Sequence, residues 1–348
     1  MSNAALSIGA LRIDPPVLAA PIAGFTDAIF RGVVRHFGGC GLLFTEMVSA
    51  GEWVEGNNFP ERLRGVADEP RPLGVQVWGR EPDVIAAAAA RLADLKVSVI
   101  DLNFGCPKRR IMGKHAAGAT LLRDPHTVGR LVAAAVRGAR GTAVTAKIRL
   151  GPSLALRTAP DVARSAEANG AAAVTVHGRT ADQHYGVPCH LDAIAAVVRA
   201  VSIPVIANGD VDSAAAAMRT LAVTGAAGVM VAREALSRPW VFREIAAALR
   251  GAAPPPPPNL AEQRAMLLQH HAAMVEREGD PWGTILMRKF AVRYLAGVRG
   301  TRTFRDAITR AENAAAFRAL VEQWFPLAAD AGVAAEPAPR LEELGCNT

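Results

Sequence analysis

The stretch DLNFGCPKRRIMGKHAAGATLLRDP, residues 101–125, sets a thiol at the end of an apolar run and beside three cations. Val99, Ile100 and Leu102 read as a buried strand, Asn103, Gly105, Cys106 and Pro107 end it, and Lys108, Arg109 and Arg110 follow. A cysteine so placed is a nucleophile, a metal ligand, an acid or a small buried residue. The three cations would favour its thiolate if they faced the sulfur. The other cysteines, Cys40, Cys189 and Cys346, are distant and match no C-x-x-C spacing. That argues against a disulfide framework and a structural zinc site.

More polar groups stand at the ends of similar runs. The runs are Val17–Ala20, Leu42–Thr45, Leu73–Val77, Val99–Asn103, Val144–Ile148, Ala173–His177, Pro204–Asn208 and Gly228–Ala232. Their starts lie 24 to 45 residues apart, the length of a strand plus a crossover helix, and Ala-rich helical patterns such as PDVIAAAAARLADL fill the gaps. Near-continuous apolar runs suit parallel strands covered on both faces. The expected fold is an α/β (β/α)₈ TIM barrel followed by a small C-terminal helical domain. A doubly wound sheet is disfavoured because no G-x-G-x-x-G follows the first strand.

In such a barrel the C-terminal strand ends share one mouth. Read in order they supply Pro21, Glu46, Gln76, Asn103 with Cys106, Lys147, His177, Asn208-Gly209-Asp210, and Ala232-Arg233. The last two groups suit a phosphate, through glycine, an arginine and a helix start. Lys147 would stabilise negative charge on a ring or form a Schiff base, and Gln76 both donates and accepts at a heterocycle edge. Phosphate at one end and a ring at the other point to flavin mononucleotide.

The expected organisation is a catalytic barrel over residues 1–250, a Pro-rich linker over 251–258, a helical domain over 259–330 and a tail over 331–348. Five prolines, Pro254–Pro258, cannot continue a helix. The 348 residues carry a net charge of +7, which suits a polyanionic partner. No apolar run approaches the roughly 20 residues of a membrane span. The N-terminus lacks the pattern of a signal peptide, so a cytoplasmic protein is expected. No obligate protein partner is evident.

LAAPIAGFTDAIFR, LFTEMVSA, LGVQVWG, DLNFGCPKRRIMGKHAAGATLL, TAKIRLG, VHGRTADQHYGVP, VIANGDV and VMVAREAL resemble, in order, the blocks of the tRNA-dihydrouridine synthases. SRPWVFREI looks most like the bacterial B-type branch. The resemblance implies FMN-dependent reduction of D-loop uridines in tRNA to 5,6-dihydrouridine, with NADPH as reductant. It makes Cys106 the acid that protonates C5 after hydride reaches C6. It places Pro21, Ile22 and Ala23 against the flavin ring, Gln76 and Lys147 at its edge, and Asn208, Gly209, Asp210, Ala232 and Arg233 at the ribityl phosphate. Asn103, His177 and Arg179 fall in blocks lining the space shared by flavin and uracil. The helical domain resembles the family's tRNA clamp, although MRKFAVRYLAG departs from its usual pattern.

A thiol with a pKa of about 8.5 is mostly protonated at neutral pH yet acidic enough to release its proton. For Cys106 to act so, Lys108, Arg109 and Arg110 are expected to point outward, to RNA phosphates. Arg179, Arg288, Lys289 and Arg293, with Arg302, are expected to extend that basic groove. Three rival readings are a flavin enzyme acting on a free pyrimidine, a Schiff-base aldolase using Lys147, and a non-catalytic tRNA-binding protein.

Overall fold

The computed structural model describes residues 5–56, 59–295 and 301–330. The chain divides into two compact units. The first comprises the described parts of 1–28, 39–232 and 242–254, and the second those of 29–38, 233–241 and 255–348.

The first unit is a barrel of parallel strands. Their ring order is β3 (Val17–Ala19), β11 (Gly228–Val231), β10 (Val205–Asn208), β9 (Ala173–His177), β8 (Ala143–Arg149), β7 (Val99–Asn103), β6 (Leu73–Trp78) and β4 (Leu43–Phe44). A two-residue strand, β5 (Val48–Ser49), also pairs with β6. The eight runs read from the sequence are therefore the eight barrel strands. Each is buried because helices separate them: α3 (Pro82–Asp94), α4 (Pro125–Ala139), α5 (Ala159–Ala168), α6 (Leu191–Val198) and α7 (Ala214–Thr224) follow β6 to β10 in turn. Pro125 opens α4 while the Asp124 side chain accepts from the His126 N–H, a favoured helix start.

The ring closes between β3 and β4 through the Leu18–Leu42 bridge. There Ala19 N donates to Leu42 O at 2.9 Å and Gly41 N to Val17 O at 2.8 Å. This seam is much shorter than the β7–β8 ladder, which pairs Val99 through Asn103 with Ala143 through Lys147.

One element has no counterpart in the sequence reading. An antiparallel hairpin, β1 (Leu6–Ile8) and β2 (Leu11–Ile13), turns Leu6, Ile8 and Ile13 onto Leu18, Leu42, Phe44, Val99, Ala173, Ile206 and Met230. These include residues at strand beginnings, so the hairpin plugs the N-terminal end of the barrel. The polar chemistry is left to the other end.

The second unit gathers α9 (Leu260–Glu278), α10 (Trp282–Tyr294), α11 (Thr301–Ile308) and α12 (Ala314–Asp330) with most of α1 (Ala28–Phe37) and residues 233–241. α2 (Ala50–Glu55) and most of α8 (Val241–Leu249) stay in the first unit. After the prolines, Asn259 and Glu262 form a reciprocal capping box that starts α9. Inside the unit Phe30 stacks on Phe290 at 5.8 Å and His271 on Phe317 at 3.9 Å. Asp280 accepts from the Thr284 hydroxyl and from Ala314 N, tying α10 to the start of α12. The tail expected over 331–348, with Cys346, lies outside the described residues.

Candidate active site

Strand register decides which side chains share the barrel interior. Gln76 is opposite Asp101, and Asp101 opposite Thr145. One step toward the mouth, Asn103 is opposite Lys147 and Lys147 opposite Thr175. At the next level Arg149 and Asn208 both face His177. Side chains two apart on a strand share a face, so Thr145, Lys147 and Arg149 form one inward polar column.

Hydrogen bonds connect these levels. Thr145 Oγ1 donates to Asp101 Oδ1 at 2.7 Å and Gln76 Nε2 to Asp101 Oδ2 at 2.6 Å. Asn103 Nδ2 donates to Gln76 Oε1 at 2.7 Å, and Asn103 Oδ1 accepts from Gly105 N at 3.0 Å and Cys106 N at 2.9 Å. Asn103 Nδ2 also lies 3.5 Å from Met47 Sδ. Asn103, expected against the substrate, has its amide oxygen engaged in holding the Cys106 turn and its Nδ2 engaged by Gln76 and Met47. Across the barrel Lys147 Nζ donates to Asn208 Oδ1 at 2.9 Å, and Asn208 Nδ2 donates to Met230 O at 2.9 Å.

Electrostatics answer the question raised by the cations. Burial pushes the Cys106 thiol upward; the Lys108 backbone N–H and the charges of Lys108, Arg149 and Lys147 pull the other way and lose. The thiol is thus protonated at neutral pH. Arg109 and Arg110 are exposed, as expected, and Arg110 pairs loosely with Glu52 at 3.5 Å. Lys108 corrects the expectation: it is half-buried, and its charge reaches the sulfur. Burial also pulls Lys147 down to about 8, against the attraction of Asp101. Asp101 is pushed up by burial, while bonds from Gln76 and Thr145 and the Lys147 charge oppose the shift. Arg149, also buried, is lowered by burial.

The loop after β9 is organised by Arg179, which is 1 % exposed. Its Nη2 donates to both carboxylate oxygens of Asp210 at 2.7 Å and to Tyr185 O at 3.0 Å. Nη1 lies 3.1 Å from Cys189 Sγ and 3.2 Å from His177 Nε2, and Nε donates to Val187 O. A guanidinium only donates, so His177 Nε2 is the acceptor of this contact. Arg179, expected in an RNA-facing groove, is instead an internal clasp between two mouth loops. Asp210, in the left-handed region at φ 52, is neutralised by that clasp and also accepts from Cys189 N. Gly209 has φ +112, and a Cβ there would stand 2.2 Å from Cys189 Sγ and 2.9 Å from His177 Cδ2.

Pro21, Ile22 and Ala23 are half-buried in a turn where Phe25 N and Thr26 N donate to Ile22 O. Buried Glu46 secures that turn by accepting from Gly24 N, with Arg62 Nε 3.3 Å away. Ala232 directly follows β11. Arg233 opens the 3₁₀ turn Arg233–Leu236 in the second unit. So do the remaining expected RNA contacts belong to the second unit. There Arg288 donates to Ala311 O at 2.6 and 2.9 Å, and Lys289 Nζ lies 5.3 Å from the Phe290 ring centre. Arg293 is buried, which corrects its expected place on a phosphate-facing surface.

Sequence reasoning missed Arg149, Asp101 and Tyr185. Arg149 donates to Thr180 O at 2.7 Å and lies over the Tyr185 ring at 5.8 Å. Its signal was the period-two sequence T-x-K-x-R within β8, which puts a second cation on the face of Lys147.

The sequence model of the dihydrouridine synthase family matches residues 17–329. A probable tRNA-dihydrouridine synthase of Rhodobacter capsulatus is 40% identical over 321 residues, covering 92% of this chain and 98% of its own. tRNA-dihydrouridine synthase B of Xanthomonas campestris pv. campestris is 39% identical over 334 residues, 96% of this chain and 98% of its own. Among solved structures, a variant of NCR from Zymomonas mobilis aligns with a TM-score of 0.53 at 12% identity, over 73% of this chain and 92% of that one. Morphinone reductase in complex with tetrahydroNAD aligns at 0.50 and 14%, over 72% and 90%. At such identities these two likenesses show the fold alone.

Proposed function

The chain belongs to the dihydrouridine synthase family, and from that premise we propose that it reduces D-loop uridines of tRNA to 5,6-dihydrouridine. The observation that carries the reading is Cys106: a thiol kept protonated by burial, on a turn held by Asn103. When bound, reduced FMN would supply hydride to C6 of uracil, with NADPH as the reductant that restores it. Cys106 then gives its proton to C5: the S–H bond breaks, a C5–H bond forms, and a thiolate remains. Lys108, Arg149 and Lys147 stabilise that thiolate until water reprotonates it. Cations too weak to ionise the resting thiol still ease its loss of a proton.

The donor set fits a flavin. Lys147 has ammonium protons beyond its bond to Asn208, and one Gln76 amide proton is uncommitted, which suits the carbonyl-bearing ring edge. The turn of Pro21, Ile22 and Ala23 suits the ring face, and His177 the space between flavin and uracil. Backbone N–H groups of Gly209, Asp210 and Ala232 suit the ribityl phosphate. The carboxylates beside these groups, Asp101, Asp210 and Glu46, are each engaged by internal donors and so repel such a ligand little. A tRNA substrate makes the cytoplasm the working compartment.

The test combines purified chain, FMN, NADPH and unmodified tRNA, with dihydrouridine read by nucleoside mass spectrometry. Cys106→Ala should retain FMN and its reduction by NADPH while product formation falls by about 10²-fold or more. Full turnover by that variant would remove Cys106 as the acid. Reduction of free uracil, with no effect on tRNA, would favour a pyrimidine reductase.

A further inference from the structure

Six large apolar side chains are well exposed among the described residues: Phe59, Val136, Leu154, Leu156, Val223 and Trp282. Leu154 and Leu156 lie on the segment that directly follows β8, at the C-terminal end of the barrel. Leu154 is 50% and Leu156 41% exposed, on a tight turn in which Ser153 bridges Leu156 and Leu156 N donates to Ser153 O at 3.0 Å. Exposed leucines standing singly need no explanation. Two on one turn beside a catalytic mouth do.

The turn is rigidly founded. Gly151, at φ +146, lets the chain fold back so closely that a Cβ there would meet Leu156 O at 2.2 Å. Ala181 N donates to Gly151 O, and Ala159 N to Leu150 O. On the other side Thr158 Oγ1 donates to Leu122 O at 2.6 Å. Leu122 belongs to the 3₁₀ turn Gly118–Arg123, whose Ala119 N donates to Cys106 O at 3.0 Å. The leucine turn and the acid are thus braced by one short chain of hydrogen bonds. Exposed Arg157 follows the turn, and exposed Arg109 and Arg110 stand on the loop of neighbouring β7.

A uridine within folded RNA has to leave its stack to reach Cys106, and the vacated space favours collapse back. Apolar side chains pushed between base steps counter that collapse, and cations beside them hold the phosphates. We propose that the Leu154–Leu156 turn is a wedge that fills the gap left in the RNA stack by the target uridine. The proposal rests on the tRNA-reducing reading above. A flexible loop could not hold such a gap open; this turn is braced at both ends.

The experiment compares wild type, Leu154→Ser/Leu156→Ser and Leu154→Met/Leu156→Met on unmodified tRNA, with 2-aminopurine next to the target uridine as a stacking probe. Both leucines are exposed, so the serine pair leaves the core intact and NADPH-driven flavin reduction unchanged. Expected is a fall in kcat/KM for tRNA of about tenfold or more in the serine pair, rescue by methionine, and loss of the fluorescence rise on binding. Wild-type kcat/KM and fluorescence in the serine pair would overturn the wedge. A wild-type dimer in sedimentation that the serine pair dissociates would also overturn it, giving the turn a second copy as its occupant. A wild-type chain inactive on tRNA would overturn the parent reading instead.

Discussion

At the scale of single residues, burial and charge oppose each other in the same few ångströms, and the outcome differs between groups. For Cys106 burial wins and the thiol keeps its proton. For Lys147 burial also wins, but the result, about 8, lies within reach of ordinary buffers. Its ammonium is charged below that value and neutral above it. On the proposed FMN site, affinity for FMN should therefore weaken as pH rises through about 8, measured by fluorescence titration, and Lys147→Met should bind weakly at every pH without that step. Fold stability should move oppositely. Between about 8 and 10.5 the unfolded chain holds the Lys147 proton more tightly, so this residue's contribution to stability rises with pH across that window. Lys147, Gln76 and Asn208 were legible in sequence because each ends or nearly ends an apolar run. Arg179 was misplaced because its burial depends on Asp210, a partner 31 residues away that only the β9–β10 pairing brings near.

At the scale of elements, the loop after β10 is specified by backbone shape as much as by side chains. Gly209→Ala faces two obstacles, a left-handed φ of +112 and a Cβ crowded by Cys189 Sγ at 2.2 Å and His177 Cδ2 at 2.9 Å. It should destabilise the chain by about 1–3 kcal/mol in urea unfolding. Cys189→Ala in the same chain should restore part of that loss, because it removes the closer clash and leaves the dihedral strain and the 2.9 Å approach to His177 Cδ2. Purely additive effects would mean that the sulfur does not crowd the glycine. The strands were readable because continuous apolar runs between helical patterns have few other meanings. The β1–β2 hairpin was not, since three-residue strands carry too little periodicity to register. Nor could periodicity show that α1 and residues 233–241 group with the C-terminal helices, which is a matter of long-range packing.

At the scale of the whole molecule, the net charge of +7 says only that a polyanion is a suitable partner; the family match over residues 17–329 gives that charge a context. The barrel that carries the site is a ring of unequal joints. Between β7 and β8 five residue pairs lie in register, whereas β3 and β4 meet at the Leu18–Leu42 bridge. A ring opens where it is thinnest, and that joint also joins the two earliest strands of the ring in the chain. In native-state hydrogen exchange the Ala19 and Gly41 amides should therefore open before those of Ile100 and Thr145; equal protection would show a ring that opens only as a whole. The turn of Pro21–Ala23 lies just beyond that joint. Breathing of the barrel would loosen the Pro21–Ala23 side of the mouth while the strands around Cys106 stay shut, so a large ligand bound as proposed would enter without dismantling the turn that holds the thiol.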